Sequence, residues 1–441
     1  MTGEEIKQLQ KKYVLQSWSK QKNINPIPIE KAEGIYMYDY DGKRYTDMSA
    51  QLVNLNVGFG NKKINEAIIK QLDQYAYLGP SYAVEARAKL AKMIIDRLPD
   101  NMGKVFFTNG GADANENAIK MARMFTGRPK VFSRYRSYHG STFGAGSITG
   151  EPRRASIEPG VPGFVKFFDP YVYREPVIKF ESEEQATEYY LAKLREQIIY
   201  EGADQVAAIV LETITGSNGV IIPPKGYLPG VRKICDEFGI ILICDEVMAG
   251  WGRTGKLFAF ENFGIKPDIV SFAKGVTCGY VQLGGCAVSK EIAAFFDDST
   301  LLCGLTYSGH PLACAAGVAC VEYYDEAKIL ENVNKVGAVL GNLLEDLKKK
   351  HKCVGEVRYI GLFSSVELVK NKETKEALVP YGKDPEGRMG KIIGALKEKG
   401  FCTYSHENMI FVNPALIITE EQIKEEIKKL DEVLTEVDKT I

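Results

Sequence analysis

From Lys104 to Ser289 the chain repeats one pattern: a short apolar run, a turn, then an amphipathic stretch. The runs read KVFFTN, PKVFSR, VAAIVLE, IILICDE, DIVSFA and GGCAVS, with helical patterns from Asp113 and over Tyr227 to Phe238. Short strands that are apolar on both faces need cover on both faces. A helix between them supplies it while returning the chain for the next parallel strand. The pattern therefore specifies an α/β class, a large domain with a mainly parallel sheet flanked by helices. Ligands of such open sheets gather outside the carboxyl ends of the strands, which directs attention to the residues that end each run.

The flanks read differently. Beyond residue 320 come long charged helices, ENVNKVGAVLGNLLEDLKKKH and EEQIKEEIKKLDEVLTEV, around short strands such as RYIGLFSSVELV and MIFVNPAL. Near the start, GIYMYDYDGKRYTDMS reads as a hairpin turning at Asp41 and Gly42. The expected division is a segment over 1–60 packing with a smaller α+β domain over 321–441, and the large domain over 61–320. Charge runs such as KEEIKK read as solvated helix faces.

Composition excludes several function classes. A formal net charge of -1, with no run of Lys and Arg that suggests a nucleic-acid stripe, makes nucleic acid and an anionic membrane poor partners. MTGEEIKQLQKKYVLQ lacks the basic-then-apolar order of a signal peptide, and the apolar stretch Leu301 to Val321 is broken by Thr306, Ser308, His310 and Pro311. A cytoplasmic protein is expected. Nine cysteines without C-x-x-C spacing and four histidines, at 139, 310, 351 and 406, argue against a metal cluster. Cys244 and Cys320 read as small buried hydrophobes.

Several unusual residues fall at strand ends. Asp245 closes IILICD, and Lys274 follows DIVSFA, with Gly275 expected to permit the sharp exit. Singly each has an ordinary explanation, a helix cap or a surface lysine. Together they suggest an amine whose charge is disfavoured by desolvation, suited to Schiff-base chemistry, and a carboxylate able to hold a protonated pyridine nitrogen. FFTNGGADANENAIKMARMF adds a phosphate cup, since Gly110 and Gly111 open a helix whose N–H groups point at an anion. Neither a dinucleotide fingerprint nor a P-loop is present. Tyr138 in SYHGST can stack on a planar ring, and Thr306 in LTYSGHP offers a hydroxyl in a turn.

These motifs, in this order, resemble class III aminotransferases of the fold type I pyridoxal-phosphate group. The matching stretches are Phe107 to Glu116, Tyr138 to Gly140, Asp245 to Val247, Gly252 to Gly255, Lys274, and Thr306 to Pro311. The resemblance implies that Lys274 bonds pyridoxal 5'-phosphate covalently and shuttles the substrate proton. It assigns Asp245 to the ring nitrogen, Val247 and Tyr138 to the two ring faces, and Gly110, Gly111 and Ala112 to the phosphate. Glu212 falls near the ring. Thr306 reaches the phosphate of the neighbouring subunit, so a homodimer, or a tetramer of paired dimers, is implied.

Three departures from the family pattern stand out. Gly110-Gly111-Ala112 replaces a common Ser-Gly-Ser, Met248 stands where many members place a Gln, and Tyr404 stands near the place of a mobile arginine that receives the keto acid. Acceptor recognition must then come from elsewhere. Arg153 and Arg154 in TGEPRRAS are candidate anion forks, with Arg154 taken as the substrate residue together with Trp18. The resemblance is strongest to family members acting on taurine, with 2-oxoglutarate as the expected acceptor. β-Alanine, 4-aminobutyrate and pyruvate remain as rival substrates, and an aminomutase or decarboxylase as the rival reaction class.

Overall fold

The computed structural model describes residues 1–441. Three N-terminal strands, β1 (Ile29–Glu33), β2 (Tyr36–Asp39) and β3 (Arg44–Asp47), form an antiparallel meander. Asp39 builds the predicted β2–β3 turn: its Oδ1 accepts N–H bonds from Asp41 (3.0 Å) and Lys43 (2.9 Å), and Gly42 takes φ +80°.

The next seven strands are β4 (Met102–Thr108), β5 (Lys130–Arg134), β6 (Phe164–Phe167), β7 (Val206–Glu212), β8 (Ile241–Asp245), β9 (Ile269–Phe272) and β10 (Gly284–Ser289). They form one sheet in the order β4-β10-β9-β8-β7-β5-β6. Five neighbours, β9 through β6, run parallel, and β7 and β8 are buried along their whole length. β10 runs antiparallel to both β4 and β9. The cause is the connection: after β9 the chain makes only the short turn Lys274–Val276 and a loop, so β10 starts at the edge where β9 ended.

The C-terminal part holds β11 (Val354–Ile360), β12 (Phe363–Asn371), β13 (Glu376–Ala377), β14 (Phe401–Cys402), β15 (Ser405–His406) and β16 (Met409–Phe411). RYIGLFSSVELV is two strands, not one, hinged at Gly361 with φ +57°. β14 pairs parallel with β3, Phe401 opposite Thr46, and so joins both chain ends in one sheet. Helices Ile329–Lys350 and Glu420–Asp438 pack together over this part. A single apolar core containing Phe272, Tyr324, Leu340 and Leu434 runs from the large sheet into these helices.

Candidate active site

Strand register builds the site. Glu212 on β7 pairs with Asp245 on β8, and Asp245 pairs with Ser271 on β9. Two carboxylates thus stand side by side at the carboxyl edge, and Lys274 lies three residues past Ser271. Lys274 itself takes φ +47°, a left-handed conformation that costs a non-glycine residue about 1–3 kcal/mol and is held only where surrounding packing enforces it. The sharp exit assigned to Gly275 therefore belongs to Lys274. Gly275 is needed for close approach instead, since a Cβ there would lie 2.5 Å from Trp251 Cβ and 2.6 Å from Asn56 Nδ2.

Asp245 is the hub. Its Oδ2 accepts from Asn115 Nδ2 at 2.7 Å and faces His139 Nδ1 at 2.7 Å, while its Oδ1 accepts from the Val247 N–H at 3.0 Å. An ionised carboxylate only accepts, so the pairing requires the His139 proton on Nδ1. Asn115 also donates to the His139 carbonyl at 2.9 Å. One buried side chain thereby fixes three elements: the helix after the cup, the Tyr-His-Gly turn and the end of β8.

Lys274 donates no side-chain hydrogen bond within the chain, and burial pushes its amine down to about 8, against the upward pull of Asp245 and Glu212. Burial raises the Glu212 carboxyl above the usual range. Its Oε1 accepts the Tyr138 N–H at 2.9 Å and its Oε2 the Gly216 N–H at 2.6 Å, so it places the backbone of Tyr138.

The cup follows β4. Gly110 is extended and caps helix Gly111–Thr126, whose first internal bond runs from Ala114 N–H to the Gly110 carbonyl. The N–H groups of Gly111 and Ala112 precede that bond and are free to bind an anion with the helix dipole behind them. A Cβ on Gly111 would stand 2.7 Å from Val247 Cγ1. Glycine at 111 is what lets Val247 approach the cup, whereas nothing crowds Gly110.

Above this floor, the Arg153 guanidinium lies 4.0 Å from the Tyr138 ring centroid and 4.8 Å from that of Trp18. Trp18 meets Tyr138 edge-on at 6.1 Å, although it is 60% exposed. Arg153 bonds Glu151 through Nε and Ser217 Oγ through Nη2 at 3.2 Å. Burial lowers its pKa, while Tyr138, Glu212 and Tyr404 oppose that shift.

Arg154 requires a correction. Its Nε pairs with Glu158 at 2.7 Å, its Nη1 donates to the Gly150 carbonyl, and its guanidinium lies 5.8 Å from the ring of Tyr135, on the other side of the segment. Residues 152–156 form a 3-10 turn, in which neighbours point about 120° apart, so Arg153 and Arg154 face different ways. Thr306 is exposed, its hydroxyl makes no hydrogen bond within the chain, and its carbonyl accepts from Tyr77 Oη at 2.5 Å. Tyr404 stacks on Phe411 at 4.7 Å.

Sequence reasoning omitted Asn115 and His139 as site residues, although both lie in stretches that carried the resemblance. Glu151 and Ser217 left no sequence signal.

The model of the family described as aminotransferase class-III matches residues 17–434. The taurine–pyruvate aminotransferase of Bilophila wadsworthia is 34% identical, over 98% of each chain. Among solved structures, the taurine:2-oxoglutarate aminotransferase from Bifidobacterium kashiwanohense, in complex with PLP and glutamate, superposes with a TM-score of 0.97 at 54% identity, covering 100% of this chain and 99% of that one. An (S)-enantioselective omega-transaminase from Thermomicrobium roseum gives 0.94 at 34% identity, over 99% of each. A half-buried, unbonded amine, a triply bonded carboxylate and an open helix N-terminus at one sheet edge, in a chain matched over residues 17–434, make this protein a member of the class-III aminotransferases.

Proposed function

We propose that this enzyme uses pyridoxal phosphate to move the amine of taurine to 2-oxoglutarate, giving sulfoacetaldehyde and glutamate. The carrying observation is the single edge that holds Lys274, Asp245 and, over Tyr138, the half-buried guanidinium of Arg153. The 54% identity to a taurine:2-oxoglutarate aminotransferase supports the choice of substrates.

The residues present suit the cofactor. The free N–H groups of Gly111 and Ala112 suit its phosphate, Asp245 its ring nitrogen, Tyr138 and Val247 its ring faces, and the unbonded Lys274 amine its aldehyde. When bound, pyridoxal phosphate supplies a carbonyl carbon for the donor's nitrogen and a ring that accepts electron density from the adjacent bond. Asp245 holds a proton on the ring nitrogen by its negative charge, and Asn115, His139 and the Val247 N–H keep that carboxylate in place. Lys274 Nζ takes the proton from the amine-bearing carbon of the donor and returns one in the second half of the cycle. Arg153 binds the sulfonate, and in turn a carboxylate of the acceptor, since Tyr404 provides no cation. Glu212 keeps Tyr138 in position through its backbone.

The exposed, unbonded hydroxyl of Thr306 supports a homodimer in which that residue serves the neighbouring site. Nine unpaired cysteines accord with a cytoplasmic setting. No helix is long and apolar enough to cross a membrane.

Two results test these roles. Arg153→Ala should raise KM for taurine about 10- to 100-fold, the loss of a charge-assisted bond of about 1.5–3 kcal/mol, while Arg154→Ala leaves it unchanged in steady-state assays. The Lys274 amine must be neutral to bond the cofactor aldehyde, so it is inactive below its depressed pKa and reactive above. Cofactor uptake by the apoenzyme, followed by stopped-flow absorbance, should accelerate with rising pH and level off above about 8, not near the 10.4 typical of an exposed lysine, about two units higher.

A further inference from the structure

Arg153 lies in the 3-10 turn at residues 152–156, but its support comes from two directions. Glu151 is fully buried, 0% exposed. Its Oε1 takes the Arg153 Nε–H, and its Oε2 makes no hydrogen bond. His406, the last residue of β15 in the C-terminal sheet, brings Nε2 to 3.1 Å from that oxygen in an oblique approach, and Nε2 has no other partner. The remaining charged groups near His406 are Glu407, 3.9 Å away, Arg136 and Arg153 itself. On the guanidinium, Nε goes to Glu151 and Nη2 to Ser217, while Nη1 has no partner in the chain.

We propose that Glu151 and His406 are positioning residues for anion recognition, fixing the plane of Arg153 so that Nη1 is left for the sulfonate of the donor and the carboxylate of the acceptor. This rests on the reading of Arg153 as the anion-binding group. An arginine side chain has many rotamers, and ordering it at the moment of binding weakens affinity; one already fastened at Nε and Nη2 has lost that freedom beforehand. Glu151 also subtracts positive charge from the site. A purely electrostatic role would therefore oppose anion binding, which separates the two explanations.

The test compares neutral replacements at Glu151. Glu151→Leu removes the acceptor and should raise KM for both taurine and 2-oxoglutarate roughly tenfold, with kcat changed by less than about threefold. Glu151→Gln keeps an acceptor oxygen for Arg153 and should restore most of that loss. His406→Leu, at the other side of the contact, should raise both KM values in the same direction and remains informative if Glu151→Leu does not fold. A fall in KM with either neutral residue at 151, or unchanged KM in both Leu variants, overturns the proposal. Arg153→Ala is measured in parallel. If it leaves KM unchanged, the reading of Arg153 fails as well; if it raises KM while the Leu variants do not, the positioning role alone fails.

Discussion

Lys274→Ala is expected to abolish turnover, with kcat at least about 10⁴-fold lower, because one side chain supplies both the covalent hold on the cofactor and the proton transfer, and general acid–base work alone is worth about 10²–10⁴. The loss should be chemical and not structural. Lys274 donates no side-chain hydrogen bond, and desolvation disfavours its charged amine, so removing it leaves no partner unsatisfied. The apoprotein should keep its thermal midpoint while losing the visible absorption of lysine-bound cofactor. Added ethylamine should restore part of the rate by replacing the missing base. Wild-type-like turnover in this variant would remove Lys274 from the chemistry.

Asp245→Asn is the second large effect, and it should strike twice. Loss of the charge facing the ring nitrogen removes a preorganised electrostatic interaction of the kind worth about 10²–10³ in kcat. The amide also cannot satisfy its surroundings. Asn115, His139 and the Val247 N–H all donate to Asp245, so an asparagine NH₂ must face one of them and leave a buried donor unpaired, a cost of about 1–3 kcal/mol. Steady-state kinetics should show the fall in kcat with a smaller change in KM, and a melting scan should show a lower midpoint. A fall in stability with kcat intact would reduce Asp245 to a structural hub.

The residues that end strands were legible because β7, β8 and β9 are apolar along their length and a polar residue there stands out. That singled out Asp245 and Lys274 at strand ends, whereas Glu212 was legible only through the family resemblance. The direction of β10 was not legible, since a strand buried on both faces carries the same pattern either way; the lack of a crossover helix after Phe272 decides it. That Arg153, and not Arg154, faces Tyr138 was not legible, because sequence does not set the rotational phase of a 3-10 turn. RYIGLFSSVELV hid a hairpin, since its two-residue turn is Gly361-Leu362 and only the glycine is a turn signal, the leucine continuing the apolar pattern. Asn115 and His139 act through one buried carboxylate on a distant strand, a three-body contact that spacing along the chain does not encode. Thr306 makes its only hydrogen bond through its carbonyl, and its side chain has nothing to do within one chain.

The most direct measurement is the visible spectrum of the cofactor-loaded enzyme as taurine is added without acceptor. The absorption of lysine-bound cofactor should fall to completion with one equivalent of sulfoacetaldehyde released per site, return on adding 2-oxoglutarate, and be absent throughout in Lys274→Ala. A spectrum that ignores taurine but responds to β-alanine or 4-aminobutyrate would contradict the assignment of taurine as the donor.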